Sequence, residues 1–192
     1  MNETSPTEPS YRYRPRLVGG EFVFRLTADA LEWEIGRRSG RIPYREIARV
    51  RLGYRPTNLA GGRFIAEVWP RQGTKIEIAS ITQRSLFDFQ NQAPLYRPFV
   101  AELIRRITVA GAACRFDAGF PYWRWWPALF VAVVTPAAAL FVAARALIEG
   151  EYALSATIIF LGLIFLWQVG PMIMRNRPRA YDPHSIPADA LP

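Results

Sequence analysis

The sequence predicts an α+β protein in two parts, a small strand-rich domain closed by one helix and then two membrane-spanning helices. Three observations carry this. Short runs of alternating apolar residues recur between Glu21 and Ala79, the period of half-buried strands. The period lengthens to three and four between Phe99 and Ile107, as in an amphipathic helix. No charged residue occurs over 127–144 or 152–174, runs of 18 and 23 residues.

The averages conceal this division. A net charge of +8 over 192 residues and a mean hydropathy of +0.02 describe an ordinary basic chain. Residues 11–126 carry 19 Arg and Lys75 against 10 acids, so nearly all the excess sits in one block. With 51% hydrophobic and 14% aromatic residues the chain is not compositionally disordered. One Cys and one His exclude an internal disulfide and a Cys/His zinc site. The predominance of Arg over Lys reads first as genomic composition. Residues 1–10 lack a basic start, so no signal peptide is expected there.

Residues 1–16, punctuated by Pro6, Pro9 and Pro15, read as a flexible arm. Phe22, Phe24 and Leu26, then Leu31, Trp33 and Ile35, predict a hairpin around Thr27–Ala30, with Gly36–Gly40 as the next turn. In the following run Ala48, Val50 and Leu52 are expected on one face and Ile47, Arg49 and Arg51 on the other. Asn58–Gly62 reads as a loop. Phe64–Trp69 and Thr74–Ala79 form a second hairpin around Pro70–Gly73. A helix is expected from about Pro98 to Ala110, with Pro98 in its first turn and Gly111 as its stop. Cys114–Asp117 is a candidate final strand. The domain thus covers 17–118.

The first apolar run gives roughly 27 Å of helix and the second roughly 34 Å, against a hydrocarbon core of about 30 Å. The expected hairpin covers 122–174, with spans at about 126–144 and 152–174. Both runs are apolar on every face, unlike a helix at the surface of a soluble core. Arg115 and Arg124 precede the first span, Arg175, Arg177 and Arg179 follow the second, and the connecting segment is acidic on balance. The positive-inside rule then places both ends in the cytoplasm, with 175–192 as a cytoplasmic tail and the loop near Glu149 outside.

Strands followed by one terminal amphipathic helix, the Leu31-x-Trp33 strand, Gly40 and the stretch from Ile42 to Val50 together resemble bacterial pleckstrin-homology-like (PH-like) domains fused to membrane spans. The resemblance covers roughly residues 20–115 and implies a β-sandwich or bent, partly open barrel capped by the helix. It implies a scaffolding or assembly module, with no catalytic residues to carry over. Phosphoinositide-binding members use basic residues beside the first hairpin loop. Here that loop is Thr27–Ala30, with only Arg25 nearby and Asp29 inside it, which argues against specific inositol-phosphate binding there.

Arg37, Arg38, Arg41, Arg45, Arg49, Arg51 and Arg55 form the densest basic segment. Two readings stand side by side, contact between Arg37–Arg51 and anionic lipid headgroups at about 1 kcal/mol each, and a solvated strand face. Stacking aromatics do not interleave with them, so nucleic acid is not expected. Arg97, Arg105 and Arg106 also admit lipid contact or simple solvation. Tyr122, Trp123, Arg124, Trp125 and Trp126 read as an interfacial anchor. Thr135-Pro136, Thr157, Gln168 and Gly170-Pro171 are the polar or helix-breaking features of the spans, which carry no ionisable group for a transport path. No GxSxG, Walker, GxGxxG or HExxH signature occurs, and His184 lies in a proline-broken tail.

The expectation is therefore a non-catalytic bacterial inner-membrane protein, with no metal and no cofactor, whose PH-like domain binds proteins or copies of itself beside anionic lipid. The alternatives are an accessory subunit of a transporter or respiratory-type complex and, more remotely, a lipid-binding module.

Overall fold

The computed structural model of the chain describes residues 8–15, 20–55, 62–83 and 89–192, with Phe89 by its backbone alone. Half of the expected arm and most of the Asn58–Gly62 loop lie outside the described residues. The chain divides into two compact units, the first comprising residues up to Ala118 together with Arg179–Pro192, the second Gly119–Pro178.

In the first unit, strands β1 (Ser10–Tyr13), β2 (Phe22–Leu26), β3 (Ala30–Ile35) and β4 (Arg38–Pro43) form an antiparallel meander in that order. A single 3-10 turn, Tyr44–Glu46, leads into β5 (Ile47–Arg55), β6 (Arg63–Pro70) and β7 (Ile76–Ala79), a second meander. The short pair β8 (Ile81–Gln83) and β9 (Phe89–Asn91) precedes helix α1 (Ala93–Val109). Strand β10 (Arg115–Ala118) returns parallel to β5. Strand β11 (Arg179–Ala180), from the far end of the chain, pairs antiparallel with β10, giving the order β11-β10-β5-β6-β7.

Phe24 and Leu31 are fully buried while Arg25 is exposed, the alternation that the first hairpin requires. The segment expected as one turn, Gly36–Gly40, is mostly strand. Ile35 faces Arg38 across the two residues Gly36-Arg37, and Trp33 faces Gly40. Gly36 has φ +63° while no non-glycine residue among those described has positive φ, the pattern of a type II′ hairpin turn. The alternation in β5 breaks at its start. Ile47 pairs with Pro70 and Arg49 with Trp69, leaving Ala48 as an extra residue. This bulge turns Ile47 into the core with Val50 and Leu52, all three 0% exposed.

The strand β1 lies in the stretch expected as an arm. Tyr11 and Tyr13 are buried, and their hydroxyls donate to the Ala79 carbonyl at 2.6 Å and the Glu77 carbonyl at 2.7 Å. The first meander thereby satisfies carbonyls of β7, an edge strand of the second sheet, through side chains.

Helix α1 begins one turn earlier than expected, with Pro94 in its opening turn and Pro98 inside it. It buries Tyr96, Phe99, Val100, Leu103, Ile104 and Ile107, a continuous stripe against both meanders. Its end is a Schellman motif. The amide of Ala112 donates to the Ile107 carbonyl and that of Gly111 to the Thr108 carbonyl.

Residues 175–192 read as a polar tail in the sequence, yet 179–192 belongs to the first unit. The Tyr181 amide donates to the Phe116 carbonyl at 3.1 Å, their rings lie 5.8 Å apart, and Tyr181, Ala190 and Leu191 join the core cluster. The apolar side of β10 needs this cover because the sheet would otherwise end there.

The second unit is a helical hairpin, α2 (Tyr122–Ile148) and α3 (Tyr152–Arg175), both long and apolar enough to cross a membrane. Glu151 and Gly150 donate to the Ala146 and Leu147 carbonyls, a second Schellman motif that turns the chain tightly. Gly119 closes the other end. A Cβ there would lie 2.4 Å from the Arg177 carbonyl oxygen, and its φ is +82°.

Candidate functional site

The basic segment divides along the fold. Arg37 and Arg38 sit at the β3–β4 turn, exposed and with no ion pair among the described residues. Arg41 in mid-β4 donates to Asp29 at 2.5 Å. Arg45, in the 3-10 turn, is again exposed and unpaired among the described residues. Five strand steps of about 3.3 Å separate Arg38 from Pro43, so roughly 17 Å of β4 divides the two exposed positions.

Arg49, Arg51 and Arg55 stand on the outer face of β5 and are half-buried. Arg49 donates to Asp117 through Nε and Nη2, both at 2.5 Å, and Arg115 adds a third contact at 3.0 Å. The Asp117 side chain is 8% exposed, and burying a carboxylate is tolerable only with such partners. Next along the sheet, Glu67 takes Lys75 at 2.8 Å and Arg55 at 3.7 Å, while Glu77 takes Arg63 at 3.3 Å. Burial, and after it the neighbouring Arg49, holds Arg51 below the ordinary guanidinium range. This face is thus a ladder of mixed charge, and Arg37, Arg38 and Arg45 carry its unpaired positive charge elsewhere.

A second basic cluster lies where α1 ends. Glu102 accepts from Arg105 Nε and Nη2 and from Arg106 Nε, each at 2.7 Å. The Arg105 guanidinium above all, then Arg106, holds its carboxyl down to about 2 against the effect of burial. Arg106 Nη1 continues to the carbonyls of Leu26 and Thr27 at 2.9 and 2.6 Å. It therefore staples the β2–β3 loop to the helix. An open cleft of about 600 Å³ borders this staple, lined by Asp29, Tyr44, Arg45, Arg105, Arg106 and Val109. Arg105 and Arg106 are committed to Glu102, and Arg45 is the lining arginine without an ion pair among the described residues.

Among the described residues no group of three His, Cys, Asp or Glu side chains could hold a metal. His184 is exposed, its amide donating to Asp182 Oδ1 at 2.9 Å. The Cys114 thiol is raised to about 11, chiefly by burial, so little thiolate forms at neutral pH.

In the helical unit, only 6% of the most apolar window of either helix is buried, the reverse of a soluble core helix. Tyr122, Trp123 and Trp126 are 61%, 75% and 59% exposed. Arg124 lies over the rings of Phe120 and Trp123, 5.4 and 5.8 Å from their centroids. Trp125 turns inward, its indole donating to the Ile173 carbonyl at 3.2 Å. Tyr122, Trp123, Arg124, Trp125 and Trp126 thus share the open end of the hairpin.

The buried Tyr11–Tyr13 strand and the Tyr181–Leu191 anchor escaped sequence reasoning. The alternation of Tyr11 and Tyr13 with Arg12 and Arg14 was the available signal for the first; the second has none. The chain matches no protein-family model, no curated protein and no solved structure.

Proposed function

We infer that this is a non-catalytic integral membrane protein of the bacterial inner membrane, whose PH-like cytoplasmic domain is an assembly scaffold held against anionic lipid. One observation carries the reading. The chain leaves the first unit at Ala118 and re-enters it at Arg179, residues opposed in one ladder, and only 6% of the most apolar window of either intervening helix is buried. A hydrocarbon environment satisfies those faces, and an even number of crossings returns the chain to the side it left. The PH-like assignment draws support from two successive antiparallel meanders followed by an amphipathic helix that completes their core. Exposed Arg37, Arg38 and Arg45 supply the charge for headgroups.

The test is fractionation followed by gentle extraction. The full chain should stay with membranes after alkaline carbonate washing, and in mild detergent it should migrate above monomer mass. Release by carbonate sinks the membrane assignment, and a lone monomer sinks the scaffold.

A further inference from the structure

We propose that the outward face of α3 around Gln168 docks a second copy of this chain, the two carboxamides hydrogen-bonding inside the bilayer. This rests on the membrane reading above and goes on to name the partner and the contact.

Gln168 lies in the most apolar part of the molecule. Helix α3 has 24 residues, about 36 Å, with its midpoint between Leu163 and Ile164. Gln168 therefore stands about 7 Å along the axis from the middle, well inside the roughly 15 Å half-thickness of a hydrocarbon core. Its side chain cannot reach the near interface, because Cα–Cβ bonds lean toward the helix N-terminus. Here that is the Tyr152 end, across the bilayer.

The side chain does not face α2 either. Helix α3 buries Ser155 and Ile173, whereas Gln168 is exposed and makes no hydrogen bond among the described residues. At about 100° per residue it stands roughly 140° around from Ile173. The other exposed polar side chains of the spans have outlets. Thr157 donates to the Ala153 carbonyl at 2.8 Å, and a threonine hydroxyl such as that of Thr135 can rotate onto the carbonyl one turn back. A carboxamide presents two donors and an acceptor, and leaving them bare in hydrocarbon is costly.

A second copy answers this by symmetry. Copies inserted in the same orientation place Gln168 at the same depth, and a two-fold axis along the membrane normal brings the amides together. Each amide offers what the other lacks, so the pair exchanges N–H···O bonds. The flanking pattern suits a parallel pair. Thr157, Leu161, Ile164, Gln168 and Pro171 recur at spacings of 4, 3, 4 and 3, the repeat of a left-handed helix–helix seam. All but Ile164 are exposed.

The experiment uses the full chain in vesicles of phosphatidylcholine and phosphatidylglycerol at 7:3, recovered by flotation. Energy transfer is measured between labels on an added C-terminal cysteine in a Cys114→Ser background. Wild-type protein should show transfer that falls on dilution with lipid. Gln168→Leu, which only makes the span more apolar and so keeps its insertion, should need about 5- to 30-fold higher protein density for the same transfer. Gln168→Asn, which keeps the carboxamide, should fall nearer wild type. Equal association of Gln168→Leu and wild type overturns the pairing. So does monomeric wild-type protein in floated vesicles, which leaves a foreign helix as the occupant. Failure to float overturns the membrane reading and the pairing together.

Discussion

The buried tyrosines differ in what their hydroxyls meet, and that decides what each contributes. Tyr11 donates to a β7 carbonyl, while Tyr96, 0% exposed, has a hydroxyl with no partner among the described residues. Burial drives both well above the ordinary phenol range. Removing a satisfied hydroxyl strands its acceptor, whereas removing an orphaned one relieves a desolvation penalty. Tyr11→Phe should therefore cost about 1 kcal/mol, and Tyr96→Phe should be neutral or stabilising, as read from Tm in detergent. A clear loss for Tyr96→Phe would mean that its hydroxyl is satisfied after all. Glu102 gives a pH signature. Its folded pKa, about 2, lies below the ordinary 4.5, so the stability it contributes is complete above pH 4.5 and is lost as pH falls toward 2. The Tm gap between wild type and Glu102→Gln should be widest at neutral pH and close on acidification; a gap constant with pH would refute this role.

Among the elements, the returning C-terminal segment makes the sharpest claim. Ala118 and Arg179 are opposed in an antiparallel pair, about 5 Å apart. An Asn-Gly turn in place of 119–178 should therefore close the ladder and yield a soluble domain that unfolds cooperatively. Ending the chain at Ala118 removes Tyr181, Ala190 and Leu191 from the core and should lower Tm sharply. Within the joined domain, Tyr181→Ala should cost about 2–4 kcal/mol. Equal stability of the joined and truncated domains would refute a structural role for the segment.

For the whole molecule, the pairing of β10 with β11 brings both ends of the helical hairpin into one ladder. On the membrane reading proposed above, the Gly150 loop and the C-terminal segment should then lie on opposite sides of the membrane. In a Cys114→Ser background, a cysteine at Gly150 should react from outside intact cells with an impermeant thiol reagent, and one at His184 should not. Labelling of both positions, or of His184 alone, would overturn the hairpin.

Features resting on local pattern were legible in the sequence: the β2–β3 alternation, the apolar stripe of α1 with its stop at Gly111, and the two long apolar runs without charge. Their signals are carried by neighbouring residues, and the side of the element that each residue faces enforces them directly. The tertiary structure alone decided the rest. The prolines around Tyr11 and Tyr13 obscured a strand whose anchor, Ala79, lies 68 residues away. The bulge that reverses Ile47 depends on β6. The arginines formed one run in sequence, but carboxylates distant in the chain divide them, Asp117 being 68 residues from Arg49. The tail became part of the domain because β10 exposed an apolar edge that only a returning chain could cover. Such contacts leave no periodic trace in the sequence, because each is a single pairing between residues that only the folded chain brings together.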